Sequence, residues 1–354
     1  MLYHLSYSTV GNAKVVIFPV FANLFRIKTH NFVKHLLEMI MPKIGEFELI
    51  DQIRKFATRP QYAAIGIGDD CAVIPQRDGL DTLVSTDMLI EGTHFLKEDI
   101  TPRQLGWKSA AVNISDIAAM GGKPIATFLS LALPKSLPET WVQEFMEGYR
   151  DISQKYCVAL LGGDTTCSPD RICINVAVLG TCPSGTAKLR SAARPGDVVC
   201  VTGTLGDSAA GLKLILSNDK AASPQLVQKH YCPLPRVQEG LLLGGCPGVH
   251  AMMDISDGVG SDLRHILKES GVGAVIDTDS LPLSAELQSI CREKVWDPKQ
   301  LALSGGEDYE LLFTMAPDEK PGIPYTVIGR ITKDPALVWK GSSRDFDGYQ
   351  CFKE

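Results

Sequence analysis

Residues 101–122, TPRQLGWKSAAVNISDIAAMGG, carry the signals of one complete helix. Thr101 is a favoured N-cap, Pro102 suits the first helical position, and Gly121 is the residue type that commonly ends a helix. Asn113 and Asp116 are three residues apart and therefore lie on one face. The stretch predicts a helix that presents an amide and a carboxylate side by side.

Strand-like segments lie on both sides of this helix. Residues 62–67 and 81–86 precede it, and the alternating segments 125–134 (IATFLSLALP) and 171–180 (RICINVAVLG) follow it. Between the last two, residues 138–156 have helical spacing, and CVALLGGD (157–164) predicts a buried strand that ends in two glycines and an acid. An earlier helix is predicted from Phe47 onward. These elements form a first domain over residues 42–181.

A turn-rich segment, residues 182–197, separates this domain from a second one over residues 182–354. Strands and helices recur after it, namely VVCVTG, DSAAGLKLILS, VHAMMDIS, SDLRHILKES, GAVID, YELLFTM and YTVIGRI. The pattern predicts an α+β protein with two domains. Residues 1–41 are an N-terminal extension that we expect to lie outside the fold, because the stretch from Met41, MPKIGEFELIDQIRKF, looks like a natural beginning. The apolar run 14–25 in the extension is too short to span a membrane.

Composition restricts the classes of partner. The chain has 354 residues, of which 45% are hydrophobic and 21% charged, and a formal net charge of −6, so neither nucleic acid nor an anionic membrane is an expected partner. The ten cysteines are scattered and form no CxxC pair, which indicates free thiols in a reducing, cytoplasmic environment.

Acidic residues gather at predicted strand ends and helix starts, where glycine, serine or threonine flanks them. Neighbouring carboxylates such as Asp69 and Asp70 repel each other unless water or a cation separates them. Oxygen ligands of this kind, with nearby hydroxyls, suit Mg²⁺. A single acid can instead be a turn former or a helix cap, as Asp257 could be for a helix that begins near Gly258. The acids are Asp69, Asp70, Asp87, Asp116, Asp164, Asp254, Asp257, Glu307 and Asp308.

Three further features admit two interpretations each. His94 is either a structural histidine or a ligand, and Arg190 is either a phosphate clamp or an exposed, idle side chain. VTGTLGDSAAGL (201–212) combines a strand, a glycine-rich turn and a helix start, which can offer backbone N–H groups to an anion. The chain contains neither a Walker A loop nor the signatures of protein kinases.

Seven motifs occur in the order and approximate spacing of the bacterial thiamine-monophosphate kinase family, which residues 42–354 resemble. They are GIGDDCAV, STDMLIEGTHF, AVNISDIAAMGGKP, GGDTT, VTGTLGDSAAGL, DISDGVGSDL and LSGGEDYELLFT. The resemblance implies the two-domain fold of aminoimidazole ribonucleotide synthetase and a homodimer joined through the N-terminal sheet. The implied reaction uses ATP and several Mg²⁺ ions to convert thiamine monophosphate into thiamine diphosphate by direct in-line transfer.

The resemblance also implies roles for particular residues. Asp70, Asp116 and Asp257 are the implied catalytic acids. An aromatic near the C-terminus, Tyr349 with Phe352 as the alternative, would face the thiazolium cation of the substrate. The implied metal ligands are Asp70, Ser85, Thr86, Asp87, Asp116, Asp164, Asp254 and Asp257; the nucleotide contacts are Gly163, Asp164, Arg190 and Ser256; and the substrate contacts are His94, Glu307 and Tyr349.

Other activities remain open at this point. A different ATP-dependent synthetase or kinase of the same superfamily would share most of these motifs. In selenophosphate synthetase we would expect a reactive cysteine in an N-terminal glycine-rich loop, whereas the first cysteine here is Cys71 in GDDCAV. A metal-dependent phosphohydrolase would use the same acids to activate water, and a binding module would hold the nucleotide without turnover.

Overall fold

The computed structural model describes residues 46–57 and 65–348. The predicted N-terminal extension, Tyr349 and Phe352 lie outside these residues. Helix α1, Glu46–Phe56, has the helical spacing of apolar residues seen in the sequence and belongs to a different compact unit from the rest. All other elements described below belong to the second unit. In the described ranges, no helix is long and apolar enough to cross a membrane.

The first sheet has five strands in the order β1-β2-β5-β3-β4. Neighbouring strands are antiparallel except β3 and β4, which are parallel and are connected through helix α3, Glu139–Tyr156. A parallel pair requires such a crossover because its strands run in the same direction. The strands are β1 (Ala72–Pro75), β2 (Leu80–Ile90), β3 (Lys123–Pro134), β4 (Ala159–Ser168) and β5 (Cys173–Pro183).

Helix α2, Pro102–Ala119, is the helix predicted from the opening stretch, and it packs on β2, β3 and β5. The Thr101 hydroxyl accepts from the backbone N–H of Gln104, whose side chain accepts from the N–H of Thr101, so a complete capping box starts the helix. The helix has no strongly polar face, and 13 of its 18 residues are buried. A helix buried on several sides can hold polar groups only where they find partners.

Helices α2 and α3 touch through their backbones. A Cβ atom on Gly106 would lie 1.9 Å from the Phe145 carbonyl oxygen, and one on Gly148 would lie 1.7 Å from that of Arg103. Each helix therefore needs glycine where it meets the other. Polar groups also fix α3, since the Tyr149 hydroxyl donates to Thr127 on β3 at 2.8 Å.

The prediction that CVALLGGD is a buried strand is wrong in two respects. Strand β4 is exposed at every residue but its last, and it continues through Gly162, Gly163 and Asp164 to Ser168. It is an edge strand, paired on one side only, with β3. Its apolar side chains Leu160 and Leu161 are 40% and 63% exposed. An apolar run indicates that the side chains of a strand are covered. The surface that covers them need not belong to the same copy of the chain.

The second sheet has six strands in the order β11-β8-β10-β6-β9-β7, all antiparallel except the outer pair β8 and β11. The strands are β6 (Val198–Val201), β7 (Val249–Asp254), β8 (Gly273–Asp277), β9 (Leu311–Met315), β10 (Thr326–Thr332) and β11 (Leu337–Lys340). The helices are α4 (Asp207–Leu216), α5 (Pro224–Tyr231), α6 (Val237–Gly244), α7 (Val259–Ser270), α8 (Ala285–Lys294) and α9 (Pro298–Ser304). The sequence did not predict β1, β11, α5, α6, α8 or α9.

Hydrogen bonds to backbone carbonyls fasten the segment after α5 to the first sheet's helices. The indole N–H of Trp107 on α2 donates to the Pro233 carbonyl, and the Tyr156 hydroxyl at the end of α3 donates to that of Pro235, both at 2.8 Å. The helix α2 also contacts β7 and α6. It therefore packs between elements of both sheets. The predicted domain boundary between 181 and 182 stays a prediction; β5 ends at Pro183.

Candidate active site

Three carboxylates converge where the two sheets meet. Asp70 precedes β1, Asp116 lies in the last turn of α2, and Asp254 ends β7. One oxygen of each lies within 4.8 Å of the others. Residues that are far apart in the chain thus form one anionic cluster, and the prediction that these three acids bind metal stays a prediction.

Each carboxylate in the cluster is oriented by one neighbour. The Ser85 hydroxyl donates to Asp116 at 2.6 Å, the Ser115 hydroxyl donates to Asp254 at 2.5 Å, and the Arg190 guanidinium donates to Oδ1 of Asp70 at 2.5 Å. The other oxygen of Asp70, Oδ2, is buried and has no hydrogen-bond partner among the described residues. A buried carboxylate oxygen without a donor, beside two further carboxylates, fits a hard divalent cation.

The pKa values in the cluster report crowded negative charge. Burial, followed by the charges of Asp87, Asp254 and Asp70, raises the pKa of Asp116 well above its usual range. Burial and the charge of Asp70 likewise raise the pKa of Asp254 and of Asp87. Each shift means that ionising the acid is less favourable in the protein alone than in water, and a bound cation would oppose that effect.

Arg190 explains how two adjacent aspartates coexist before β1. Its backbone N–H donates to Asp69 at 2.7 Å, while its guanidinium pairs with Asp70. The side chain of Arg190 is 19% exposed, so it is neither idle nor freely exposed. Burial acts to lower the pKa of Arg190, but the attraction of Asp70 outweighs burial and raises it. The sequence predicted a cation beside these acids, and in the structure the guanidinium of Arg190 is one cationic partner.

The structure separates Ser85, Thr86 and Asp87, which the sequence analysis grouped as metal ligands. Side chains alternate along a strand, so Ser85 and Asp87 face the acid cluster while Thr86 faces the opposite, outer side of the sheet. Thr86 is exposed and its hydroxyl accepts from Asn175 at 2.9 Å. Asn113 on α2 accepts from the Asp87 backbone N–H at 3.1 Å, which joins helix and strand beside the cluster.

Gly163 and Asp164 lie on the exposed edge strand β4 rather than in the acid cluster. Across the sheet, Asp164 on β4 pairs with Ser130 on β3, Ser130 pairs with Asn175 on β5, and Asn175 pairs with Met88 on β2. Three strand spacings of about 4.8 Å therefore separate Asp164 from β2, a distance of roughly 14 Å. A Cβ on Gly163 would lie 1.7 Å from the Leu129 carbonyl oxygen, so glycine permits the close pairing of β4 with β3. Asp164 shares the outer face with Asn175, and therefore with Thr86.

The N-cap residue of helix α7 is Gly258 rather than Asp257. Asp262, in the first turn of the helix, accepts with its Oδ2 from the backbone N–H groups of Asp257 and Gly258 at 3.3 and 3.1 Å. Its Oδ1 is buried without a hydrogen-bond partner among the described residues, and burial together with the charges of Asp257 and Asp254 raises its pKa well above the usual range. Asp262 thus extends the anionic region, and the sequence analysis missed it.

Glu307 and His94, the two predicted substrate contacts within the described ranges, are electrostatic neighbours. The Nδ1 of His94 accepts from the Ile90 backbone N–H at 3.0 Å, so the ring proton resides on Nε2. Glu307 pairs with the buried Lys108 of α2 at 2.9 Å, and His230 of α5 lies 3.2 Å from the same carboxylate. Neither Lys108 nor His230 was singled out from the sequence, where each is one polar residue within a helix.

The glycine-rich turn before α4 already binds a carboxylate from the protein itself. The carboxylate of Asp308 accepts from the backbone N–H groups of Gly206 and Ser208 at 2.7 and 3.2 Å. Burial outweighs these donors and raises the pKa of Asp308 to about 8. These two N–H groups are therefore already used, and they do not support the interpretation of this turn as a site for an anion of the nucleotide. The preceding backbone N–H of Leu205 donates to the Pro282 carbonyl.

Comparison with known proteins agrees with this architecture. Residues 68–182 match the model of the AIR synthase related protein N-terminal domain, and residues 194–340 match the C-terminal domain of the same proteins. A two-domain AIR synthase related protein is therefore the class that the fold and site define. The predicted two-domain α+β fold class is confirmed.

The relatives narrow the class further. The chain is 40% identical over 312 residues to the thiamine-monophosphate kinase of Escherichia coli strain K12, covering 82% of this chain and 91% of that protein. It is 42% identical over 278 residues to that of Buchnera aphidicola subsp. Schizaphis graminum, covering 77% and 83%. A solved structure described as "AaThiL complexed with AMPPCP and TMP" matches with a TM-score of 0.81 at 36% identity, covering 88% of this chain and 98% of that one. The chain belongs to the thiamine-monophosphate kinase family, as its motifs predicted.

Proposed function

We propose that this protein transfers the γ-phosphoryl group of ATP to the phosphate of thiamine monophosphate, giving thiamine diphosphate and ADP. Membership of a family whose relatives carry this name, over most of both chains, supports the reaction and its assignment as a kinase. The observation that carries the proposal is the convergence of Asp70, Asp116 and Asp254, with one oxygen of Asp70 buried and unpaired among the residues described.

These acids would hold Mg²⁺, which when bound supplies charge neutralisation for two approaching phosphates and for the charge that develops during transfer. The chain's own contribution is to fix the acids before the substrates arrive. Ser85 and Ser115 orient Asp116 and Asp254 by donating one hydrogen bond each. Arg190 orients Asp70 with one guanidinium nitrogen and is placed to offer its remaining donors to a phosphate. No covalent enzyme intermediate is needed.

We propose roles for the remaining predicted residues from their positions. Asp87 and Asp257 border the anionic region, because their charges raise the pKa values of Asp116 and Asp262 respectively. Both would support metal binding from the edge of the cluster.

The loop that contains Ser256 is joined to Glu307, whose backbone N–H donates to the Ser256 carbonyl at 2.8 Å. Ser256 would contact the nucleotide from this loop, while Glu307 and His94 would contact the thiamine portion of the acceptor. The contact of Tyr349 with the thiamine portion stays a prediction, because Tyr349 lies outside the described residues.

The reaction is tested by following phosphorus NMR spectra of the purified protein with ATP, Mg²⁺ and thiamine monophosphate. We expect thiamine diphosphate and ADP to form in equal amounts, and only when the acceptor is present. A sample without acceptor is the control. ADP and free phosphate in both samples would indicate a phosphohydrolase, and no change in either would indicate a binding module or a different acceptor.

We propose that a second copy of the chain covers the outer face of the first sheet. Strand β4 exposes Leu161, and the outer face of the same sheet exposes Met88 and Phe128 at 55% and 38%. An exposed edge strand with apolar side chains is a surface that proteins normally cover. Thr86 and Asp164 lie on this sheet away from the acid cluster, so a homodimer would place them at or near the interface.

Replacing Leu161 by aspartate is expected to weaken this dimer, because a charge would be buried in an apolar contact. The wild type should sediment at twice the chain mass of 38.4 kDa, and Leu161→Asp should shift toward the single-chain mass at micromolar concentration. Leu216→Asp is the matched control, since Leu216 on α4 is 65% exposed and lies on a different sheet's helix. A wild-type monomer, or equal behaviour of both variants, would contradict the interface.

Cytoplasmic location, and the exclusion of nucleic acid and membrane as partners, follow from composition alone and stay predictions. The binding of several Mg²⁺ ions is implied by the family resemblance and also stays a prediction.

A further inference from the structure

Lys108 is a lysine that is almost fully buried. Its side chain on α2 is 1% exposed, and its ammonium lies 2.9 Å from each oxygen of the Glu307 carboxylate. Lysine is rarely buried to this degree without a charge partner, and burying an ion pair seldom adds stability over apolar residues of the same size. This arrangement therefore requires an explanation beyond stability.

Glu307 is held in an unfavourable backbone conformation. Its φ is 62°, and that of Tyr309 is 50°, whereas residues with a Cβ rarely adopt positive φ values. The loop is kept in this shape by its neighbours: the Tyr309 N–H donates to the Ile255 carbonyl, and Asp308 is fixed by the N–H groups of α4. Strained conformations maintained in this way are found mainly at functional sites.

His230 completes the enclosure of the carboxylate. Burial and the charge of Lys108 lower the pKa of His230 to about 4, so the ring is neutral near pH 7. Its Nδ1 lies 3.2 Å from Glu307 and 3.0 Å from the Ser208 hydroxyl. The contact with Ser208 holds the neutral ring beside the carboxylate. Because both contacts use the same nitrogen, Ser208 and His230 do not form a nucleophile-activating relay.

The carboxylate nevertheless remains open to the solvent on one side. The Glu307 side chain is 27% exposed, although Lys108 and His230 occupy part of its acceptor capacity. Burial alone would raise the pKa of Glu307, but the charge of Lys108 and the hydrogen bond from its ammonium outweigh burial and lower the pKa. Glu307 is thus an ionised group that can accept further hydrogen bonds from one direction.

We propose that Lys108 is a positioning residue for thiamine monophosphate. Together with His230, it holds the Glu307 carboxylate in place as a hydrogen-bond acceptor for an N–H group on the substrate's heteroaromatic ring. This inference rests on the proposed function. In thiamine monophosphate the matching donor is the amino group on the pyrimidine ring. Lys108 does not touch the substrate in this arrangement and acts only through Glu307.

The position of Lys108 on α2 links this subsite to the acid cluster. Ser115, whose hydroxyl orients Asp254, is seven residues further along and so lies on the same face two turns away. The rise of about 1.5 Å per residue separates the two by about 10 Å. One rigid helix therefore sets the spacing between the subsite for the ring and the acids proposed for the phosphates.

Replacing Lys108 by methionine is expected to raise the KM for thiamine monophosphate about 10-fold or more, because the contact of Glu307 with the substrate is lost. The KM for ATP should stay within about 2-fold, since the acid cluster is untouched. Discrimination against the analogue that carries oxygen in place of the pyrimidine amino group should fall by a similar factor. Initial rates with each substrate varied in turn measure all three quantities.

The matched control is Lys188→Met. Lys188 is also buried, at 8% exposure, but its ammonium donates to the carbonyls of Cys246 and Val249 rather than to an acid. It should lower the thermal midpoint without changing either KM or the discrimination. Glu307→Gln should reproduce the loss of Lys108→Met, and the double variant should be no worse than Glu307→Gln, because both act through one contact.

Equal changes in both KM values, or a loss of thermal stability without a change in discrimination, would show that Lys108 is only structural. If Lys108→Met does not fold, His230→Gln retains the ammonium and is expected to raise the KM for the acceptor about 3-fold; an unchanged KM there would overturn the proposal. Wild-type turnover tests the kinase reaction itself, whereas the ratios between variant and wild type test Lys108, so the two failures are distinct.

Discussion

Replacing Asp116 by asparagine is expected to lower turnover about 100-fold or more, as is typical when one preorganised electrostatic group is lost from a site. Asp116 supplies one of the three oxygens that converge within 4.8 Å, and asparagine keeps the shape but removes the charge. Steady-state rates at saturating ATP and acceptor measure the effect. Asp151→Asn is the control, because Asp151 on α3 pairs with Arg103 away from the cluster.

The stability of the same variant distinguishes a loss of function from a loss of structure. The pKa of Asp116 is raised in the folded protein, so its ionised form destabilises the fold at neutral pH when no cation is present. Asp116→Asn removes this charge, and the thermal midpoint without Mg²⁺ should therefore be equal to or higher than that of the wild type. Near-normal turnover would remove Asp116 from the proposed metal site.

Replacing Gly148 by alanine is expected to destabilise the protein by about 3 kcal/mol, although the same change in an isolated helix would be favourable by roughly 1 kcal/mol. The new methyl group would lie 1.7 Å from the Arg103 carbonyl oxygen and 2.6 Å from its carbon, so α2 and α3 must move apart. Urea unfolding measures the difference. Because α2 carries Lys108, Ser115 and Asp116, activity should fall as well.

Gly245→Ala is the matched control for this substitution. The nearest atoms to its new methyl group lie 3.5 and 3.8 Å away, and its φ of −76° suits any residue, so its effect should stay within about 0.5 kcal/mol. If Gly148→Ala were as mild as Gly245→Ala, the two helices could not be in direct backbone contact.

The sequence predicted the elements whose signals are local. Helix α2 was predicted with its cap at Thr101 and its end before Gly121, because capping chemistry resides in adjacent residues. Most strands of both sheets were also predicted, since alternation or apolar runs mark them. Asp70, Asp116 and Asp254 were grouped as metal ligands from their shared flanking residues and from motif resemblance. Their convergence itself is given by the fold, because no local rule relates residues so far apart in the chain.

What the sequence could not predict depends on partners that tertiary structure supplies. The apolar composition of β4 indicated burial, but composition does not reveal that the strand lies at a sheet edge. Side chains alternate along β2, so Thr86 points to the face of the sheet opposite that of Asp87. The motif that groups these residues does not contain this information. In the sequence, nothing distinguishes Asp308 and Asp262 from the other acids. Only the fold shows that backbone N–H groups donate hydrogen bonds to their carboxylates.

The close fit of α2 between its neighbours also limits how this chain can vary in length. Inserting one residue between Lys108 and Ser115 would rotate one end of the helix by about 100° relative to the other and lengthen it by about 1.5 Å. Lys108 and Ser115 would then face different directions, and either Glu307 or Asp254 would lose its partner. Insertions and deletions should therefore be tolerated in the loops of this protein but excluded from these two helical turns.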